Sequence, residues 1–170
     1  MPATTRIKHL LKEIKQKARQ EQKENRRFFK RVKKKKPSGL DRAFKEQHDE
    51  AFKKINCMDC ANCCRVALPV FETPDIRRIA PHLGMTPKEF IKKYLNKDPD
   101  YEYLTKKTPC PFIRDDNKCG IYEIRPQGCR TYPPARMRLT PDQLDVLHDN
   151  VDVCPAVNEM VDKIKKQFEV

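Results

Sequence analysis

Four of the eight cysteines of this chain, Cys57, Cys60, Cys63 and Cys64, fall within eight positions in the pattern C-x2-C-x2-C-C. The others, Cys110, Cys119, Cys129 and Cys154, follow singly after gaps of 45, 8, 9 and 24 residues. A C-x2-C step lets two thiolates converge on one ion from a tight turn, and a bound cation favours the deprotonated sulfur that it needs. Cysteines placed only for core packing have no reason to cluster so tightly, so all eight are candidate metal ligands.

The need for such a site follows from the composition. Apolar residues make up 38% and charged residues 36% of 170, against about 45–50% and about 25% in an ordinary soluble domain. The core is thin for the length, and a metal centre that joins distant segments would offset it. Metal binding and folding are then expected to be coupled, the ligands giving up protons as they take the ion.

The identity of the metal is open at this stage. Zinc sites use four ligands, commonly two C-x2-C pairs, and the second half of the chain supplies no such pair. Cys57-x2-Cys60-x2-Cys63 reproduces the first three ligand positions of a bacterial ferredoxin run, whose fourth is a remote Cys followed by Pro. Cys154-Pro155 and Cys110-Pro111 both offer that dipeptide. Adjacent cysteines point in different directions in most backbone conformations. Cys63 and Cys64 are therefore expected to serve two centres, or one of them to be left over.

Charge divides the chain at residue 36. Residues 1–36 carry fifteen Lys and Arg against three acids, and residues 37–170 carry 22 against 21. Ile7, Leu10, Leu11, Ile14 and Ala18 keep helical spacing. Beyond them the apolar stripe thins to Phe28, Phe29 and Val32, so a basic helical arm over 1–36 is expected, its far part solvated and frayed. Such an arm suits nucleic acid, with Phe28 and Phe29 as stacking candidates, or an anionic membrane or protein surface; it also suits a solvated helix that keeps the chain soluble or docks its Ile7, Leu10, Leu11 and Ile14 stripe on the body. Pro37-Ser38-Gly39 marks the boundary to a body over 37–170.

Helices are expected over 41–55, after Thr73-Pro74, after Thr86-Pro87 with Glu89 completing a capping box, after Thr140-Pro141, and over 156–168. Phe112-Ile113 and Gly120-Ile121-Tyr122 flank Asp115-Asp116-Asn117 as a short β-hairpin that would bring Cys110 toward Cys119. The fold class expected is mainly α, small and loop-rich with a short β-hairpin, a metal-stapled cysteine-cluster domain. No transmembrane segment or secretory h-region is visible, so a cytoplasmic location is expected, where thiols stay reduced.

The strings CMDCANCCR at 57–65, PCPFI at 109–113, CGIYEIRPQGCRTYP at 119–133 and the CP at 154–155 resemble the YkgJ-type cysteine-cluster family, known for a zinc- or iron-chelating CxxCxxCC domain. The resemblance spans roughly 55–156 and departs at Ala61, where the family often has Gly. It implies metal chelation through these cysteines without one agreed reaction. A similar cysteine motif occurs in flagellin lysine N-methylase, which raises redox or methyl-transfer chemistry.

Arg65, Arg125 and Arg130 lie beside the cysteines and would either offset thiolate charge or hold carbonyls and carboxylates. His9, His48, His82 and His148 have no paired spacing and are poor ligand candidates. Four glycines, no Gly-rich phosphate loop, no nucleophile elbow and no H-E-x-x-H leave any catalysis to the metal. Two functions remain: an iron–sulfur or iron centre in electron transfer or protein modification, as an oxidoreductase or accessory protein, or a structural zinc module whose basic arm finds a partner.

Overall fold

The structure is a computed structural model that describes residues 3–168, with side chains from residue 5 onward. The described helices are α1 (Ala3–Gln20), α2 (Gln22–Lys35), α3 (Leu40–Phe52), α4 (Cys57–Cys60), α5 (Asn62–Val66), α6 (Thr73–His82), α7 (Pro87–Tyr94), α8 (Gln127–Arg130), α9 (Pro141–Asp149) and α10 (Pro155–Gln167). The strands are β1 (Val70–Phe71), β2 (Leu95–Lys97) and β3 (Tyr103–Thr105). The protein is small and mainly α, as its sequence implies. None of these helices is long and apolar enough to cross a membrane. The chain forms two compact units, one of Met1–Cys60 with Pro133–Val170, the other of Ala61–Tyr132.

The first unit is helical. Its core joins Phe28, Phe29 and Val32 of α2 to Leu40, Phe44 and Ala51 of α3, Leu144 and Leu147 of α9, and Val157, Met160, Val161 and Ile164 of α10. The expected solvated half of the arm is therefore corrected: Phe28 and Phe29 are 1% and 2% exposed. The reason lies in the spacing of Asn25, Phe28, Phe29 and Val32, all buried, which is a complete though narrow helix stripe at i, i+3, i+4 and i+7. Acidic neighbours hold the basic helices down. Lys165 of α10 bonds Glu21 at 2.6 Å and Glu24 at 2.8 Å, Lys33 meets Asp145 at 2.5 Å, and Lys17 pairs with Asp162.

The single helix expected before Pro37 is two, meeting at Glu21, although the hydrogen-bond ladder runs through the junction. It ends at Lys36, which takes a left-handed φ of 39° and donates its N–H to Val32 O at 2.8 Å. Of the three helices expected to open at a Thr-Pro step, two take Thr as N-cap. Thr86 and Glu89 form the expected box on α7, and Thr140 with Gln143 forms one on α9. On α6 the N-cap is Glu72 and the reciprocal residue Asp75. Thr73 instead donates both its N–H and its hydroxyl to Glu102, at 2.6 and 2.7 Å.

The second unit packs α6 and α7 beside an antiparallel sheet of order β1-β3-β2, with Val70 opposite Leu104 and Leu95 opposite Thr105. Its core is aromatic: Phe71, Phe90 and Phe112 are buried with Ile76, Ile79, Leu95 and Ile121. The rings of Phe90 and Phe112 stack with centroids 5.9 Å apart. The strands have two or three residues each, too short for an alternating pattern to announce them.

Candidate metal centre

Within the second unit four cysteines from three separate stretches lie near enough to interact electrostatically. Cys64 closes on Cys110 through the backbone, its carbonyl accepting the Cys110 N–H at 2.7 Å. The β-hairpin expected to bring Cys110 toward Cys119 is reduced to a turn with a single antiparallel bridge, Ile113 to Cys119. Gly120 N–H donates to Phe112 O at 2.8 Å and Arg114 N–H to Lys118 O at 2.9 Å. Asn117 takes the left-handed φ of 67° at the tip. Cys129 arrives on α8, which Pro126 precedes as N-cap.

Cys110, Cys119 and Cys129 each feel the charge of others in the group. Burial pushes Cys129 up to about 12, and charge on Cys64, Cys110 and Cys119 adds to the rise. Burial likewise lifts Cys110 to about 11, with Cys64 and Cys119 contributing, and it raises Cys119. Cys64 moves the other way. A hydrogen bond from the Cys63 thiol, with Cys64's own peptide N–H and the Arg65 charge, brings it down to about 7 against the cost of burial.

Backbone N–H groups are aimed at these sulfurs. Phe112 and Ile113 donate to Cys110, and Ile121 donates to Cys119. Donors two and three residues beyond a cysteine favour the thiolate over the thiol. Such donors suit a ligand sulfur.

Arginines and one buried carboxylate hold the loop between Cys119 and Cys129. Arg125 donates to Tyr122 O at 2.7 Å, lies 3.9 Å over the Tyr122 ring, and lowers both Cys119 and Cys129 by its charge. It thus plays both roles left open by the sequence. Arg130 holds the carbonyls of Arg125 and Glu123 at 3.0 and 2.5 Å, and Arg65 bonds Asn117. Two residues escaped the sequence reading. Arg78 donates to Ile124 O, to Arg125 O at 2.6 Å and to Asp75 at 2.7 Å. Asp75 also accepts the N–H of Gln127 at 3.1 Å, at the start of the helix that bears Cys129.

The first unit holds a second group. Cys57 and Cys60 bracket α4, which Asn56 opens by accepting Met58 N–H at 2.9 Å on its side chain. Cys154 is the N-cap of α10. Burial drives Cys154 up to about 11 against the N–H donors of Val157 and Ala156, and the charges of Cys57 and Cys60 raise it further. Between Cys60 and Cys63 the backbone reverses through Ala61, at φ 48° and ψ 15°. That left-handed position explains why Gly suits it.

All eight sequence-predicted ligands are thus assigned a place: Cys57, Cys60 and Cys154 in one unit, and Cys63, Cys64, Cys110, Cys119 and Cys129 in the other. No disulfide links any of them. Among the described residues no three His, Cys, Asp or Glu side chains have converged far enough to hold an ion as they stand. The donor set nevertheless fits zinc or iron, being rich in thiols that already carry N–H donors. Mutual repulsion of their charges is what a cation would relieve. The histidines do other work: His48 packs on Phe52 at 4.5 Å and bonds Asp49, and His148 packs on Phe29 at 5.1 Å.

Comparison with curated proteins and with solved structures found no match. Comparison with protein families found the CxxCxxCC family, described as "Putative zinc- or iron-chelating domain", over residues 56–155. That span contains all eight cysteines, with Cys57 and Cys154 each one residue inside its ends, together with Arg125, Arg130 and Asp75. It covers more than half of the 170 residues, and the chain belongs to the CxxCxxCC family of zinc- or iron-chelating domains.

Proposed function

We propose that the protein carries iron bound by cysteine, as an iron–sulfur cluster or an iron ion, and serves electron transfer or the modification of a partner. The observation that carries this reading is the grouping of Cys154, followed by Pro155, with Cys57 and Cys60 in one unit. A remote Cys-Pro near a C-x2-C pair matches three of the ligand positions of a bacterial ferredoxin run, whose remaining in-run position, Cys63, falls in the other unit. Cys64, Cys110, Cys119 and Cys129 would hold a second centre, with Cys63 adjoining it through its hydrogen bond to Cys64.

An iron–sulfur group supplies reversible one-electron chemistry when bound. The chain's own residues set the conditions for it. The N–H groups of Phe112, Ile113, Ile121, Ala156 and Val157 steady negative sulfur. Arg125 offsets charge at Cys119 and Cys129. The aromatic wall of Phe71, Phe90 and Phe112 restricts water on one side, and both hydrogen bonds to sulfur and solvent exposure tune such a centre.

One observation favours a structural zinc reading for the second unit: four mutually interacting thiols are the number that a closed tetrahedral zinc site takes, which would leave no position for substrate. Anaerobic purification of the full chain, followed by iron, zinc and acid-labile sulfide analysis and a visible spectrum, separates the two. The iron reading expects a brown protein whose colour bleaches on reduction. A colourless protein with stoichiometric zinc would overturn it.

A further inference from the structure

We propose that the outward face of α2 binds the phosphate backbone of double-stranded nucleic acid. The face is defined by what the core takes away. Asn25, Phe28, Phe29 and Val32 point inward, and Lys23, Arg27, Lys30 and Lys34 lie exposed on the opposite side at i, i+4, i+7 and i+11. At about 1.5 Å per residue this row is about 16 Å long, with cations about 4.5–6 Å apart. One strand of a duplex presents a phosphate about every 3.4 Å along its axis, so the row spans about five of them.

The charges on this face are uncompensated. Of the fifteen cations of residues 1–36, the ion pairs among the described residues engage Lys17, Lys33 and Lys36. The acids that could neutralise the row are drawn elsewhere, Glu21 and Glu24 to Lys165 and Asp145 to Lys33. The fold has segregated the signs, acids toward α10 and α9 and cations toward solvent.

The choice of partner follows from the rings. Phe28 and Phe29 are shut in the core, so the face has no aromatic to stack on unpaired bases, which single-strand binding relies on. The same burial removes the apolar anchor that an amphipathic helix needs to insert into a lipid surface. What remains is a rigid cationic rod suited to ordered phosphates. The row carries no base-reading arrangement, so the binding is sequence-independent.

The test is fluorescence anisotropy with the full, metal-loaded chain and labelled duplexes of about 20 base pairs, DNA and RNA in separate arms. With four phosphates neutralised, affinity falls roughly 10²-fold between about 50 and 200 mM salt. The variant R27A/K30A/K34A keeps its helix content, since Ala is the best helix former. It is expected to bind at least tenfold more weakly at about 50 mM salt, with a salt slope reduced by about 2.7. The variant K88A/K92A/K97A removes the same charge from exposed sites of the second unit and is expected to bind like the parent. Equal loss in both variants, no duplex binding at the lower salt, or tighter binding to a single-stranded oligonucleotide or to phosphatidylserine vesicles would overturn the proposal.

Discussion

Asp75 shows how a single buried side chain serves a site it does not touch. It accepts from Glu72 N–H, Arg78 and Gln127 N–H while only 3% exposed. Removing it takes the acceptor from a charged donor and two backbone donors, at about 1–3 kcal/mol for each that solvent cannot reach, and the Arg78 side chain, 36% exposed, is one that it does reach. Asp75→Ala is expected to destabilise the second unit by about 2–4 kcal/mol in a denaturant titration, and to lower metal retention because α8 positions Cys129. Asp75→Asn, which keeps an acceptor, should recover part of both. At Ala61 the expectation has the opposite sign. Ala→Gly inside a helix costs about 1 kcal/mol, but at the left-handed φ of 48° Ala61→Gly should leave the melting temperature unchanged or raise it. The cysteines were legible because thiolate chemistry needs them whatever surrounds them. Asp75 and Arg78 were not, because their partners lie about fifty positions away and a lone acid or arginine carries no spacing signal.

Among the elements, α2 departs furthest from its sequence profile. Its composition reads as a charged tail, yet Phe28, Phe29 and Val32 seal the core of the first unit. Phe29→Ala is expected to cost about 3–5 kcal/mol by calorimetry or denaturant melt; a loss under about 1 kcal/mol would mean that the helix is peripheral after all. Deleting residues 1–36 should accordingly unfold the helical unit, seen as a loss of helical circular dichroism beyond that of the missing segment. The helices after Thr86 and Thr140 were legible from their Thr-Pro steps, the first also from the reciprocal Glu89, a local signal. The three strands and the break at Glu21 were not, since tertiary pairing rather than any run of residues defines them. The expected hairpin survives as a turn closed by one bridge, because Asp115-Asp116-Asn117 specifies the turn while its flanks are too short for a ladder.

For the molecule as a whole, two small cores share eight sulfurs, and protonation links folding to metal. Burial holds Cys110 at about 11 and Cys129 at about 12, above the value of about 8.5 for an exposed thiol. In the metal-free chain their contribution is intact below about pH 8.5 and is lost as pH rises toward the folded values, because the unfolded chain ionises first. The metal-free protein should therefore lose melting temperature above about pH 8.5, and the metal-loaded one should not, its sulfurs being already deprotonated. Scanning calorimetry of both forms checks this, and an identical fall in both would dissociate the thiols from the metal. At acid pH the hydrogen bond from Lys165 holds Glu24 below the usual carboxylate range. That contribution is present above about pH 4.3 and is lost as pH falls further. The central claim is that the protein's own ligands to the metal are all cysteine sulfur. X-ray absorption at the metal edge of the purified full chain tests it most directly: an all-sulfur first shell is predicted, and a shell dominated by nitrogen or oxygen would contradict it.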